Sequence, residues 1–513
     1  MRMLLISLIP LTLLLNSVYG LKLLLVFATP SKSHYILGNA LGKDLANFGH
    51  EVTVIGAYSE SNPPKNYKQI VVTDLVKKRE ARERPHFMYK FENMSPILQM
   101  LIINNVIDMV VDTFFNSTEI QTFLQSQDEF DAVIVEQYLT DPLGVLAYHF
   151  KAPLILFSTI GSNRWINTLV GNPEPSSYIP DMLLGGTGEM TFNERAYNFL
   201  YSIVAQLNLH FIVYPKYRSY IAKYFPNIQN FDEILYNVSL VLLNSHESIN
   251  HAVPHVPNIV DIGGFHVKPP KNLSGSLQDF MDDARDGVIY FSMGSNLKPS
   301  AMPKETKEII LKVLGSRKEK VLWKWDEDIL ENQPENVKIS KWFPQQDILA
   351  HPNCKLFITH GGLLSTTETV SMGVPVLAFP IFADQKLNAG RAEALGFGKS
   401  LPFGSITEEK LSSALEELLS NPKYLKNAKL RSQLIHDRPM EPSKLADYWI
   451  KYVVKYKGAP HLRVAGAKLS FYQYWMLDVI FVYGGGFVIS IYLLIKIRRS
   501  RKNSKANRQK KLQ

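Results

Sequence analysis

Between Trp342 and Gln385 the sequence gathers side chains that bind anions, hydroxyls and flat rings. Thr359-His360-Gly361-Gly362 follows the apolar run Leu356 to Ile358 and precedes Ser365-Thr366-Thr367-Glu368, which opens a helical stretch ending near Gly373. A turn of small residues feeding a helix N-terminus is an anion site, because unpaired N–H groups and the helix dipole point at the ligand. His360 can donate to a phosphate, and Ser365 can both cap the helix and reach the same anion. Glu368, one turn in, has the acceptors to hold two adjacent hydroxyls. Asp384 and Gln385, after the strand Pro375 to Pro380, suit a polyhydroxyl sugar. Trp342 offers a stacking face, and Gln345 an amide, for a base. Glycine turns alone are weak signals; this ordered combination is a strong one.

A second candidate stands near the N-terminus. The apolar run Leu21 to Ala28 leads into Thr29-Pro30-Ser31-Lys32-Ser33-His34, and an amphipathic helix is expected from about Tyr35 to Phe48. His34 is thereby expected in a turn at the carboxyl end of a strand. Imidazole exchanges a proton near neutral pH without much tuning, which suits a general base. Alone, a histidine in such a turn is more often structural than catalytic.

Positioning such groups calls for strands that end at a common cleft. Near-continuous apolar runs alternate with helical patterns: Leu23 to Phe27, Val52 to Ile55, Ala132 to Val135, Pro153 to Phe157 and Leu240 to Leu243. Strands without polar alternation are buried on both faces, as in a parallel sheet covered by helices. The same grammar restarts at Gly287 to Phe291, Val321 to Trp325, Leu356 to Ile358 and Val376 to Ala378, after a linker rich in Pro, Gly and His from His251 to Pro270. The expected fold class is α/β: two doubly wound Rossmann-like domains, 21–255 and 256–470, facing a cleft. Ligands of open α/β sheets bind beyond the carboxyl ends of the strands, so both candidate sites fall on that cleft. Phe87-Met88-Tyr89, Met94, Met100, Met109 and Phe114-Phe115 could line an adaptable pocket but read first as core. Lys77 to Arg84 reads as a solvated helix.

The ends carry addresses. Met1 to Gly20, one positive charge before a short apolar core and small residues, has the layout of a cleaved secretory signal. Trp475 to Ile495 is apolar except for Asp478 and is long enough to cross about 30 Å of hydrocarbon. The tail 496–513 holds nine lysines and arginines, equal to the formal net charge of +9. Positive charge beside a span stays cytoplasmic, so the bulk of the chain is expected in the lumen. The basic balance is thus a topology signal and gives no reason to expect nucleic acid. Sequons at Asn116, Asn237 and Asn272, and a poorer one at Asn93 that Pro96 follows, fit a lumenal chain. The one cysteine, Cys354, cannot form an internal disulfide. Lys510-Lys511-Leu512-Gln513 resembles a dilysine retrieval signal, so a single-pass type I protein of the endoplasmic reticulum membrane is expected.

The stretch Trp342 to Gln385 resembles the donor-binding box of the UDP-glycosyltransferase superfamily, the UDP-glucuronosyl- and UDP-glucosyltransferases. Phe357-Ile358-Thr359-His360-Gly361-Gly362, Ser365, Glu368, Pro375, Pro380 and Asp384-Gln385 carry the likeness in order. Phe291-Ser292-Met293-Gly294-Ser295 resembles the family's phosphate-side loop, Ile262 to His266 its interdomain segment, and Asn172-Pro173, Tyr178 to Pro180 and Met190-Thr191-Phe192 its acceptor-side loops. Leu364 stands where many members carry Asn, and Leu363-Leu364-Ser365 looks like the membrane-bound invertebrate branch. The resemblance implies a GT-B fold in which Trp342 stacks on uracil, Gln345 meets the uridine and Glu368 holds the ribose. His360, Ser365 and the glycine turns, with Gly294 and Ser295 opposite, contact the diphosphate; Asp384 and Gln385 contact the sugar. It also implies that His34 is the general base, paired with a carboxylate from a later strand end. That carboxylate is Glu136 by register or Asp141 by side-chain type, and both stand as candidates.

The implied reaction is an inverting displacement from UDP-glucose or UDP-glucuronate onto the hydroxyl of a small lipophilic acceptor, with no metal and no further cofactor. A lipid-specific transferase and a catalytically silent binder of UDP-sugars or lipophiles are the alternatives. The sugar, the acceptor and the oligomeric state are left open by the sequence.

Overall fold

A computed structural model describes residues 20–510. The expected signal segment, apart from Gly20, and the last three residues of the dilysine stretch lie outside them.

Two parallel sheets organise the chain up to Arg463. The first has seven strands: β1 (Lys22–Phe27), β2 (Glu51–Gly56), β3 (Tyr67–Val71), β4 (Ala132–Glu136), β5 (Leu154–Ser158), β6 (Val238–Leu243) and β7 (Ile259–Asp261), ordered 3-2-1-4-5-6-7. The second has six: β8 (Val288–Ser292), β9 (Lys320–Lys324), β10 (Val337–Ser340), β11 (Cys354–Thr359), β12 (Val376–Ala378) and β13 (Gly398–Ser400), ordered 10-9-8-11-12-13. The order reverses at β1/β4 and again at β8/β11, and such switch points open the crevice where doubly wound sheets bind ligands. The apolar runs read from the sequence form the central strands. β3, β7, β10 and β13 went unread; β7 lies inside the stretch expected to be a linker and pairs in parallel with β6.

The helices that matter below are α1 (Lys32–Asn47), α2 (Pro96–Asn116), α3 (Phe192–Asn208), α4 (Leu363–Met372), α5 (Gln385–Ala394), α6 (Pro442–Lys455) and α7 (Leu477–Lys510). Helix α1 starts three residues before the expected Tyr35, so His34 sits in its first turn. Helix α2 is long and apolar enough to cross a membrane, but Val110, Val111, Phe114 and Phe115 are buried within the fold. Helix α6 returns to the first sheet, where Ala446, Ile450 and Val453 join the core of Leu23, Leu25 and Phe27. The second core stacks Phe291 on Trp323 at 4.7 Å between ring centroids. Truncating such a ring to alanine typically costs about 3–5 kcal/mol.

The segment between α1 and α2 crosses to the second sheet. Tyr89 and Phe91 are buried in the second core, and Tyr89 OH donates to the carbonyl of Lys298 at 3.0 Å. Met100, Phe114 and Phe115 are core, as expected, whereas Phe87, Met88 and Met109 line a cavity. Lys77 to Arg84 is not simply a solvated helix, because Arg79, Arg82 and Arg84 line that same cavity.

Residues 464–510 form a separate unit dominated by α7. Its stretch Leu477–Asn507 is apolar and long enough to cross a membrane, and the helix runs on through the basic tail.

Candidate active site

The carboxyl ends of β1 and β4 lie side by side, with Val26 in register with Val135. Glu136 is the last residue of β4, and His34 is the third residue of the helix that follows β1. This register brings the Glu136 carboxylate against the imidazole, where Oε1 pairs with Nδ1. The other carboxylate oxygen, Oε2, accepts from the Thr29 backbone N–H at 3.2 Å. A carboxylate only accepts, so Nδ1 carries the hydrogen and Nε2 keeps its lone pair. Thr159 Oγ1 stands 3.2 Å from Nδ1, and the Tyr138 ring meets the imidazole edge-on at 5.0 Å. His34 lines the cavity while Glu136, 1 % exposed, stands behind it.

Asp141 lies elsewhere. It opens the helical turn Asp141–Gly144, and its Oδ1 accepts from Gln137 Nε2 at 3.0 Å. Burial pushes its carboxyl up to about 6, and it does not reach His34 or the cavity wall.

Across the cavity, β11 delivers His360 into the turn before α4. Gly361, at φ +85°, adopts a backbone that L-residues rarely take, and a Cβ there would meet the Gln385 carbonyl at 3.1 Å. Gly294, at φ +74°, closes on the His360 ring from the opposite loop: a Cβ would stand 2.5 Å from its Cε1. This packing, with Lys324 nearby, pushes the imidazole down to about 4 and keeps it neutral at physiological pH. The N-cap of α4 is Gly362 with no side-chain cap, so Ser365 is not the cap expected of it. Its hydroxyl instead accepts from Gln345 Nε2 at 3.1 Å. Glu368 is buried on α4, where desolvation raises its carboxyl, and it accepts from Gln345 and from Gln346 Nε2.

Trp342 is half exposed on the cavity wall, with Lys32 Nζ 4.1 Å and Lys324 Nζ 4.4 Å from its ring centroid. Lys324 donates to the Gly294 carbonyl at 2.8 Å, and burial together with Lys32 lowers it to about 8. Asp384 precedes α5, and its Oδ2 accepts from Asn388 Nδ2 at 2.6 Å. Desolvation raises its carboxyl, opposed by Asn388, His34 and Arg391. Gln385 Oε1 accepts from the Ile381 and Phe382 N–H groups, which braces the loop and leaves the amide N–H groups for a ligand.

One cavity of about 920 Å³ joins these groups. His34, Trp342, Gln345, His360, Gly362, Ser365, Glu368, Asp384, Gln385, Gly294 and Ser295 all line it; Gly361, Glu136 and Asp141 do not. Lys324 and Thr159 were missed. Each stands at or just past the carboxyl end of a strand, a position that marks cleft residues in such folds. Among the described residues no cluster of His, Cys, Asp and Glu could hold a metal ion.

Residues 22–511 match the family described as UDP-glucoronosyl and UDP-glucosyl transferase. The UDP-glycosyltransferase UGT5 of Dactylopius coccus is 35% identical over 485 residues, covering 92% of this chain and 90% of that protein. UDP-glucuronosyltransferase 2B17 of Mus musculus is 30% identical, covering 89% and 88%. Among solved structures, the glycosyltransferase VinC in complex with DTDP superposes with a TM-score of 0.56 at 15% identity, covering 85% of this chain and 100% of that one. The glycotransferase of kitacinnamycin gives 0.55 at 18% identity, covering 84% and 98%. At these identities the likeness is one of fold.

Proposed function

The chain belongs to the UDP-glucoronosyl and UDP-glucosyl transferase family and is a UDP-sugar glycosyltransferase of GT-B fold; from that premise we propose that it transfers glucose to the hydroxyl of a small lipophilic acceptor, with His34 as general base. The carrying observation is the His34–Glu136 pair facing the anion cradle of His360 and α4 across a single cavity.

In this reading the acceptor oxygen gives its proton to His34 Nε2 as it attacks the anomeric carbon. The bond from that carbon to the UDP oxygen breaks on the opposite face, so configuration inverts. Glu136 stabilises the imidazolium. The leaving diphosphate is met by backbone N–H groups of α4, by His360 as a neutral donor, and by Ser365. Trp342 and Gln345 hold the uracil end, Glu368 the ribose, and Asp384 and Gln385 the sugar. Gly294 and Ser295 close the phosphate side. The apolar wall of Phe87, Met88, Ile102, Ile103 and Met109 takes the acceptor, so the half before the linker serves the acceptor and the half after it the donor.

Glucose is favoured over glucuronate by charge. Asp384 faces the sugar end, and Arg391, the cation beside it, does not line that cavity. A uronate carboxylate there would find the acceptor oxygens of Asp384 and the Gln385 amide but no cation from α5. Exposed asparagines in the sequons at 116, 237 and 272, together with α7 as a membrane span, support a lumenal, type I arrangement in the endoplasmic reticulum.

The test is acceptor-dependent UDP release by microsomes containing the full chain, comparing UDP-glucose with UDP-glucuronate across a panel of phenols. Release with UDP-glucose alone supports the reading. Release with UDP-glucuronate alone overturns the sugar, and none with either donor overturns the transfer.

A further inference from the structure

His266 is buried behind the cavity with nothing to bond to. The residue is 4 % exposed, and neither ring nitrogen has a hydrogen-bond partner among the described residues. An unpaired polar group in the interior weakens a fold, and native chains rarely keep one without a use. Burial pushes the imidazole down to about 4, against a smaller upward effect of the Leu364 backbone. The ring is therefore neutral at physiological pH and carries a single N–H.

The backbone around it is pinned from both halves of the chain. After β7 the Ile262 N–H donates to the Leu243 carbonyl at 2.8 Å, and the Gly263 N–H to the Ser245 carbonyl at 2.9 Å. Phe265 packs into the first core. Two residues beyond His266, the Lys268 N–H donates to Gln346 Oε1 at 3.0 Å, while its ammonium donates to Asp44 of α1 at 2.7 Å. His266 thus stands on the segment that ties the first sheet to the donor half.

Glu368 faces this ring. His266 Nε2 stands 3.9 Å from Glu368 Oε1. That is too far for a hydrogen bond and too near for a bridging water, whose two bonds span about 4.5 Å. The carboxylate is meanwhile held by two amides: Gln345 donates to Oε2, and Gln346 Nε2 to Oε1 at 2.8 Å. Gln345 Nε2 also donates to Ser365 Oγ at 3.1 Å. A donor that draws Gln345 onto its base and Ser365 onto its diphosphate takes one amide from Glu368 as the ribose hydroxyls arrive. A shift of about 1 Å by the freed carboxylate then closes the gap to Nε2. We infer that His266 is a positioning residue for the ribose grip: its Nε2–H donates to Glu368 Oε1 in the donor complex and holds the carboxylate with its remaining lone pairs toward the ribose hydroxyls. This rests on the reading of Glu368 as the ribose carboxylate. Charge adds to the effect. Desolvation raises the Glu368 carboxyl, and a further N–H donor favours the ionised form, which accepts with both oxygens and donates nothing.

The test is calorimetric titration of the full chain with UDP and with 2′,3′-dideoxy-UDP, which keeps the base and the diphosphate and lacks both hydroxyls. His266→Phe fills the space without a donor, His266→Leu does so with a smaller side chain, and His266→Gln keeps an N–H. The two apolar variants should bind UDP about tenfold more weakly and the dideoxy nucleotide within about twofold of wild type; His266→Gln should restore UDP affinity to within about threefold. Both ligands are compared on one preparation, so a partly unfolded variant lowers the stoichiometry and not the ratio. Equal weakening toward both nucleotides assigns His266 to the fold alone and overturns the proposal, as does a His266→Gln variant no better than His266→Phe. Unchanged UDP binding in the apolar variants, with Glu368→Gln losing the preference for UDP over the dideoxy nucleotide, overturns it and leaves the ribose reading intact. A Glu368→Gln variant that keeps that preference removes the ribose reading and the proposal with it.

Discussion

Oε1 of Glu136 meets Nδ1 of His34 because two parallel strands, β1 and β4, end side by side at the switch point of the first sheet. The pair is fixed by register, and its carboxylate is held from behind by the Thr29 N–H. Glu136→Gln keeps the shape but not the charge or the tautomer control. It should lower kcat by about 10²–10⁴-fold with little change in UDP affinity. Asp141→Asn, at the carboxylate that does not reach His34, should leave kcat within about threefold. Steady-state kinetics with paired UDP titrations separate the two.

Asp141 should announce itself in stability. Its carboxyl is pushed up to about 6 by burial, above the ordinary value near 4. The folded chain therefore holds that proton more tightly than the unfolded chain. The penalty for burying the charge is absent below about pH 4, grows as pH rises through that window and is complete above about pH 6. Asp141→Asn removes it, so the melting temperature of the variant relative to wild type should climb between about pH 4 and 6 and then level off. A flat difference contradicts this.

Gly294→Ala tests the packing of that loop on His360. Position 294 combines φ +74° with a Cβ placed 2.5 Å from His360, whereas Gly186 combines φ +96° with nothing within 4 Å. Gly186→Ala should cost only the backbone strain, about 1 kcal/mol. Gly294→Ala should cost more and should also weaken UDP binding by about tenfold, because His360 has to move. Equal losses in thermal melts and equal UDP affinities would contradict the contact.

Lys324 should set a pH limit on donor binding. Burial and Lys32 lower its ammonium to about 8, beside the loop that packs on His360. A cation favours the diphosphate, so UDP affinity should fall as pH rises past 8, and Lys324→Met should flatten that fall. His360, already neutral, should add no titration between pH 5.5 and 8. Calorimetric titration of UDP across that range checks both.

The central strands were legible because their residues are apolar on both faces, as in Leu-Leu-Leu-Val-Phe of β1. β3 (Tyr-Lys-Gln-Ile-Val) and β10 (Val-Lys-Ile-Ser) were not, because edge strands are half solvated and keep polar residues. The start of α1 was misjudged because Ser31 makes no side-chain cap to mark it. The choice between Glu136 and Asp141 needed the direction of one helical turn, which spacing does not carry. Helix α3 was opaque for another reason: its periodicity defines an apolar face but not whether that face turns inward.

The most direct measurement is acceptor-dependent UDP release by His34→Ala beside wild type, with UDP affinity determined on the same preparations. The expected result is a loss of about 10³-fold or more in kcat, retained UDP binding, and no rescue by raising the donor concentration. Turnover within about tenfold of wild type, or a loss matched by the fall in UDP affinity, would contradict it.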